Sequence, residues 1–225
     1  MPQPIKEEDL KTITKKVYAL YAKHGIDGIS MDEVSRQTGI SKATLYRYFT
    51  SKEDIVRGMA DFLVARLDSV QFTSIGAIED VISSLQDFYE KSVLVEALSG
   101  SRFLPDLEHK FPETHQRCIR AMEAMQDRFG AFYRQAVDKG FCRDLPFPLI
   151  SRQFRRMLPS IINMDYLEEN DLTLPQAVRA YDRMFLCQIL TEEYLYVTDQ
   201  EETYDFAEHL STVLRQDFFI DSIRR

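Results

Sequence analysis

The sequence predicts an all-α protein, with a three-helix amino-terminal head of helix-turn-helix form followed by a longer helical body. Three observations carry this expectation. Apolar residues recur at intervals of three and four through most of the 225 residues, and no alternating strand pattern competes with them. Glycine and proline are few, eight of each, and several stand where the helical runs break. Near the amino terminus, capping signals at Ser30, Ser41 and Ser51 follow one another closely, as they must where short helices are joined by tight turns.

Each element has its own justification. Leu10, Ile13, Val17, Leu20 and Tyr21 share a face of the first helix, and Glu7, Glu8 and Asp9 suit its positive start. His24-Gly25 ends it, glycine supplying the left-handed turn. Ser30-x-x-Glu33 has the form of a capping box and opens a short helix to about Thr38. Gly39 breaks that helix, and Ser41 caps the next, Lys42 to about Phe49. Ser51-x-x-Asp54 opens a longer one running to about Val70. Val34, Ile40 and Leu45 are the apolar residues expected to pin the two short helices together. Further helices are expected at about 76–98, 102–110, 113–139, 147–168, 174–197 and 201–220, with Pro159 kinking or dividing the fourth of these.

Composition narrows the class. The length suffices for one or two packed domains, divided here as 1–52 and 53–225. No apolar run approaches the roughly 18 residues of a membrane span. The opening residues "MPQPIKEEDLKTITKK" contain no apolar signal-peptide stretch. Cys118, Cys142 and Cys187 are far apart, as reduced thiols are. A cytoplasmic protein with no membrane partner is expected. The net charge of −8 is unevenly spread: residues 1–52 hold nine Lys/Arg against six Asp/Glu, the remainder nineteen against thirty. A slightly basic head on an acidic body is compatible with a local phosphate-binding surface.

The segment "ISKATLYRYFT" shows what that surface offers. With Leu45 turned inward, Lys42, Thr44, Tyr46, Arg47 and Tyr48 spread over the rest of a short helix. Arg47 can donate two hydrogen bonds to a guanine edge, worth roughly 1–3 kcal/mol of discrimination. Lys42 suits a base edge or a phosphate, and Ala43 and Thr44 are small enough for close approach to a thymine methyl. Tyr46 and Tyr48 carry hydroxyls on rigid arms suited to backbone phosphates. Lys52 adds charge at a helix start that already favours an anion.

The run "GIDGISMDEVSRQTGISKATLYRYFTSKEDIVRGM" resembles the DNA-binding head of the tetracycline-repressor (TetR) family of bacterial regulators. Gly39, Ile40, Ser41, Ala43, Thr44, Leu45, Tyr46, Tyr48, Phe49 and Lys52 all fit the family pattern, over roughly residues 6–60. Ser35 and Thr38 stand where the family often has alanine, and Met31 where a small polar residue is common. The resemblance implies that Ser30 and Met31 lie close to the DNA backbone. It also implies a homodimer whose body holds a small-molecule effector that alters the separation of the two heads, with the helix after Ser51 transmitting the change.

Pocket material is present in the body. Cys118, Met122, Met125, Phe129, Phe132 and Ala136 follow helical spacing, and Phe62, Phe88, Phe103 and Tyr133 are expected to join Met122, Met125 and Phe129 around an apolar or aromatic effector. The same stripe is more often the pattern of plain core. Implied seam residues of the dimer are Phe154, Met157, Leu158, Ile161 and Ile162 on one late helix, and Met184, Phe185, Ile189 and Tyr196 on the next. His115-x-x-Cys118, with His109 nearby, falls short of a tetrahedral ligand set, so neither metal nor cofactor is expected. Phosphate-loop, zinc-protease and nucleophile-elbow motifs are missing, and no catalytic residues are assigned. The expected function is a dimeric, ligand-responsive repressor on a near-palindromic double-stranded operator. The alternative is a DNA-binding adaptor whose body takes a protein partner.

Overall fold

A computed structural model of the chain describes residues 13–14, 16–18, 20–21, 24–99, 102–199, 206 and 208–214. Among them the structure is helical, with an isolated antiparallel bridge between Cys142 and Leu190 and no strand. Helix α1 includes the described helical residues between 13 and 24. It is followed by α2 (Met31–Thr38), α3 (Lys42–Tyr48), α4 (Lys52–Asp68), α5 (Ile78–Ser99), α6 (Phe103–Lys110) and α7 (Pro112–Asp138). Then come α8 (Phe147–Ile161), α9 (Met164–Glu169), α10 (Leu174–Ile189), a 3-10 segment (Glu192–Asp199) and α11, helical at 206 and 208–214. The rest of the expected 201–220 helix lies outside the described residues.

The described residues of Met1–Arg66 and Leu98–Ala121 form one compact unit, and those of Leu67–Ala97 and Met122–Arg225 the other. In the first, Val17, Tyr18 and Tyr21 of α1 are buried, Tyr18 meeting α4 and both tyrosines meeting α6. The Tyr18 hydroxyl donates to the Met59 carbonyl at 2.6 Å, and its ring lies edge-on to Phe103 at 5.5 Å. The Tyr21 hydroxyl donates to Asp106 at 3.0 Å, so burial and that carboxylate together raise its pKa. In the second, Phe88 of α5 stacks on Phe129 of α7 at 4.1 Å and meets Phe154 of α8 at 4.8 Å. Burying these rings is the main favourable term for this unit.

Two late helices are shorter than expected. The segment 147–168 divides at Ile162–Asn163, three to four residues beyond Pro159, and the Asn163 side chain caps α9 by accepting from the Tyr166 N–H at 3.1 Å. The segment 174–197 stops as α10 at Ile189, because the backbone there pairs with the loop after α7. The Arg143 N–H donates to the Ile189 carbonyl at 2.7 Å, and the Thr191 N–H to the Phe141 carbonyl at 3.1 Å. The seam residues also divide. Phe154, Leu158, Ile161, Phe185 and Ile189 are buried within the protomer, Phe154 against Phe185 at 5.0 Å, and are core. Met157, Met184 and Tyr196 remain exposed.

Candidate nucleic-acid interface

Local backbone chemistry builds the head. The Ser30 hydroxyl caps α2 by accepting from the Glu33 N–H at 3.2 Å, while the Glu33 carboxylate holds Arg36 instead of completing the box. Gly39 ends α2 in the left-handed conformation (φ 71°), its N–H donating to the Ser35 carbonyl at 3.0 Å. A side chain there would meet no steric obstacle, so glycine is needed for its backbone alone. Ser35 also donates its hydroxyl to the Ile40 carbonyl at 2.7 Å, pinning the turn; an alanine could not do this. Ser41 then caps α3, accepting from the Thr44 N–H at 3.1 Å and sharing a hydroxyl–hydroxyl bond with Thr44 at 2.9 Å.

Packing fixes which face of α3 looks outward. Leu45 and Val34 are fully buried, and Phe49 nearly so. A Cβ on Gly58 of α4 would stand 2.8 Å from the Phe49 ring, so glycine permits the close seating of α4 on the end of α3. Ser51 caps α4 through the Asp54 N–H at 3.1 Å, and Asp54 reaches back to the Thr50 N–H at 3.0 Å and to its hydroxyl. Those bonds lower the Asp54 pKa.

Exposed on α3 are Lys42, Ala43, Tyr46 and Arg47, with Thr44 and Tyr48 half-buried; Ser30 is exposed and Lys52 half-buried at the start of α4. Tyr46 is 53 % accessible. Arg47 has no ion-pair or hydrogen-bond partner among the described residues. Lys42 pairs with Asp32 of α2 at 2.7 Å, a partner that sequence spacing did not announce, and this raises its pKa. Met31 is only 8 % exposed, its side chain drawn into the packing of the head, so the group it can present is its backbone N–H at the start of α2.

The candidate effector residues fall in both units. Phe62 and Phe103 belong to the first, each within ring contact of Tyr18. Phe88, Met122, Met125, Phe129 and Tyr133 belong to the second. Phe88, Met125, Phe129 and Tyr133 are buried there, and Met122 half-buried. The Tyr133 hydroxyl is committed to the backbone, donating to the Arg143 carbonyl at 2.5 Å. Burial pushes the Cys118 thiol up to about 11 and the Cys142 thiol up to about 12, away from thiolate reactivity. No group of three or more metal-ligating side chains occurs among the described residues, and no helix among them is long and apolar enough to cross a membrane.

Comparison with known proteins agrees with this geometry. Residues 13–59 match the profile of bacterial regulatory proteins, tetR family. A 104-residue stretch is 25 % identical to the nucleoid occlusion factor SlmA of Haemophilus influenzae, covering 43 % of this chain and 48 % of that protein; the chain thus spans about half the length of the curated relatives it matches. The fold is similar to that of the ketosteroid transcriptional regulator KstR2 of Mycobacterium tuberculosis, with a TM-score of 0.61 and 18 % identity over 84 % of this chain and 98 % of that one. It is also similar to PfmR of Thermus thermophilus, with a TM-score of 0.58 and 20 % identity over 78 % and 97 %. A capped helix-turn-helix with a polar, cationic outer face defines a DNA-binding regulator. More narrowly, residues 13–59 carry the DNA-binding domain of bacterial regulatory proteins of the tetR family.

Proposed function

We propose that the protein is an intracellular, homodimeric repressor without catalytic activity, which occupies a near-palindromic operator and releases it on binding an apolar or aromatic small molecule. The observation that carries this reading is the outer face of α3, where Arg47 has no partner among the described residues and Tyr46 is exposed on a helix whose entry and exit are both fixed. Residues 1–52 supply the DNA contacts, and 53–225 the effector site and dimer seam. Arg47, Lys42, Ala43 and Thr44 face bases; Tyr46, Tyr48, Lys52, Ser30 and the Met31 N–H hold phosphates. Lys42 exchanges Asp32 for DNA. The two recognition helices of a dimer must enter successive major grooves about 34 Å apart, so a modest change in their spacing weakens binding.

Purified protein would be used to select bound fragments from the source genome at near-physiological salt. A recurrent near-palindromic site supports the reading, and no enriched site overturns it. The match to a nucleoid occlusion factor favours the adaptor as second reading, which predicts an operator complex that small molecules do not release. Arg47→Ala is expected to relax preference at one base pair per half-site, by about 1–3 kcal/mol, in a binding-site library; unchanged preference removes Arg47 from base reading. Lys52→Ala is expected to weaken all sequences alike and to reduce the salt slope by about one counterion per contact. A changed preference at an unchanged slope would make Lys52 a base reader.

The dimer seam is proposed on the outer faces of α8 and α10, where Met157 and Met184 are exposed, Met184 at 60 %. A shallow groove on α10 is lined by Leu172, Gln176, Ala180 and Met184 together with Arg179 and Arg183. Met184→Asp places a charge in that seam, and dimerisation measured by sedimentation is expected to weaken by at least about tenfold. An unchanged dimer would place the seam elsewhere.

A further inference from the structure

Asp182 lies on the inner face of α10 with Val178 and Phe185, is 3 % exposed, and its Oδ2 has no hydrogen-bond partner. Burial lifts this carboxyl from an ordinary 3.8 to about 7, and no basic group offsets the effect. The hydroxyls at hand are engaged elsewhere. Tyr89, whose phenol feels the Asp182 charge, donates to the Val178 carbonyl at 3.2 Å; Tyr181 donates to the Phe154 carbonyl at 3.3 Å. Around Tyr89 the rings gather: Phe154 and Tyr181 edge-on at 5.9 Å each, and Phe206 at 5.8 Å. One turn along α5 from Tyr89, Ser92 is buried with its hydroxyl unpartnered. A turn further on is Glu96, half-buried, its pKa raised by burial alone.

A buried carboxylate without a partner destabilises a fold; a neutral amide carries a smaller cost and an apolar side chain none. Unpartnered interior groups of this kind call for an occupant. Here the orphans are acidic or hydroxylic, the surroundings aromatic, and among the described residues no cation is paired with Asp182. Carboxylate and aromatic rings together are the pair that recognises an ammonium group. We propose that the interior around Asp182 and Tyr89 binds an organic cation, a protonated amine carried on an aromatic or apolar body, whose N–H donates to Asp182 while Ser92 takes a second polar group. This rests on the reading of residues 53–225 as the effector domain and gives that effector its charge.

The test is titration calorimetry on the full-length protein with 2-phenylethylamine and its N-methylated and ring-extended homologues, against matched 2-arylethanols and 3-arylpropanoates. The amines are expected to bind at least about tenfold more tightly than the alcohols and carboxylates, and Asp182→Asn to erase that preference. The wild-type comparison stands even if the variant does not fold. No binding by any amine, equal binding of the neutral analogues, or a preference that survives in Asp182→Asn would overturn the proposal. Because these titrations contain no DNA, failure to recover an operator would strike the regulator reading alone. An operator complex released by neutral or anionic compounds and not by amines would sink this inference and leave that reading standing.

Discussion

Replacing Phe129 by alanine is expected to lower the unfolding free energy by about 3–5 kcal/mol, read as a fall in the urea midpoint at unchanged slope. Phe129 is fully buried and meets Phe88 at 4.1 Å, Phe72 at 6.0 Å and Phe147 edge-on at 5.2 Å. Rings packed this closely belong to the close-packed interior, where truncation loses the transfer free energy and leaves a void the neighbours cannot fill. The loss is a large share of the roughly 5–15 kcal/mol that holds a domain folded. The same substitution separates the two uses of the Met- and Phe-rich stripe. A ring lining an open effector pocket already faces space, and its loss would cost nearer the ~1 kcal/mol of an ordinary substitution. A cost of that size would return Phe129 to the pocket.

The parts of the chain that the sequence made legible are those whose causes are local. Ser30, Ser41 and Ser51 each cap the helix that follows, and Gly39 takes the left-handed turn, because a cap or a positive φ is decided within four residues. Leu45 and Phe49 point inward for the same reason, their helix being too short to have more than one buried face. Local reading fails where a residue's surroundings arrive from far along the chain. α10 ends at Ile189 because the loop after α7 pairs with its last carbonyl, and Lys42 has a partner because α2 brings Asp32 beside it. Phe185 and Met184 are adjacent and both apolar; only the packed structure makes the first core and leaves the second exposed. Asp182 did leave a trace, a lone carboxylate in the apolar series Val178, Phe185 and Ile189, but the series reads as core and the exception is easily passed over.

That exception has a thermodynamic signature of its own. Asp182→Asn is expected to stabilise the protein at high pH and to change its stability little at about pH 4. The folded-state pKa, about 7, lies above the ordinary 3.8, so between those values the unfolded chain gives up this proton while the folded chain retains it. The unfolded state then binds fewer protons, and linkage makes wild-type stability fall as pH rises through that window. The loss begins near pH 4 and is complete above about pH 7. Three pKa units correspond to about 4 kcal/mol, an upper figure because relaxation around the charge reduces it. Asparagine has no such proton to lose, so the melting temperatures of variant and wild type should start close together in acid and separate steadily up to about pH 8. A constant offset across the range would show that Asp182 is solvated or paired in solution. A gap that opens with pH and closes when an arylalkylamine is added to the wild type would show that the ligand's charge relieves the strain that burial imposes on the carboxylate.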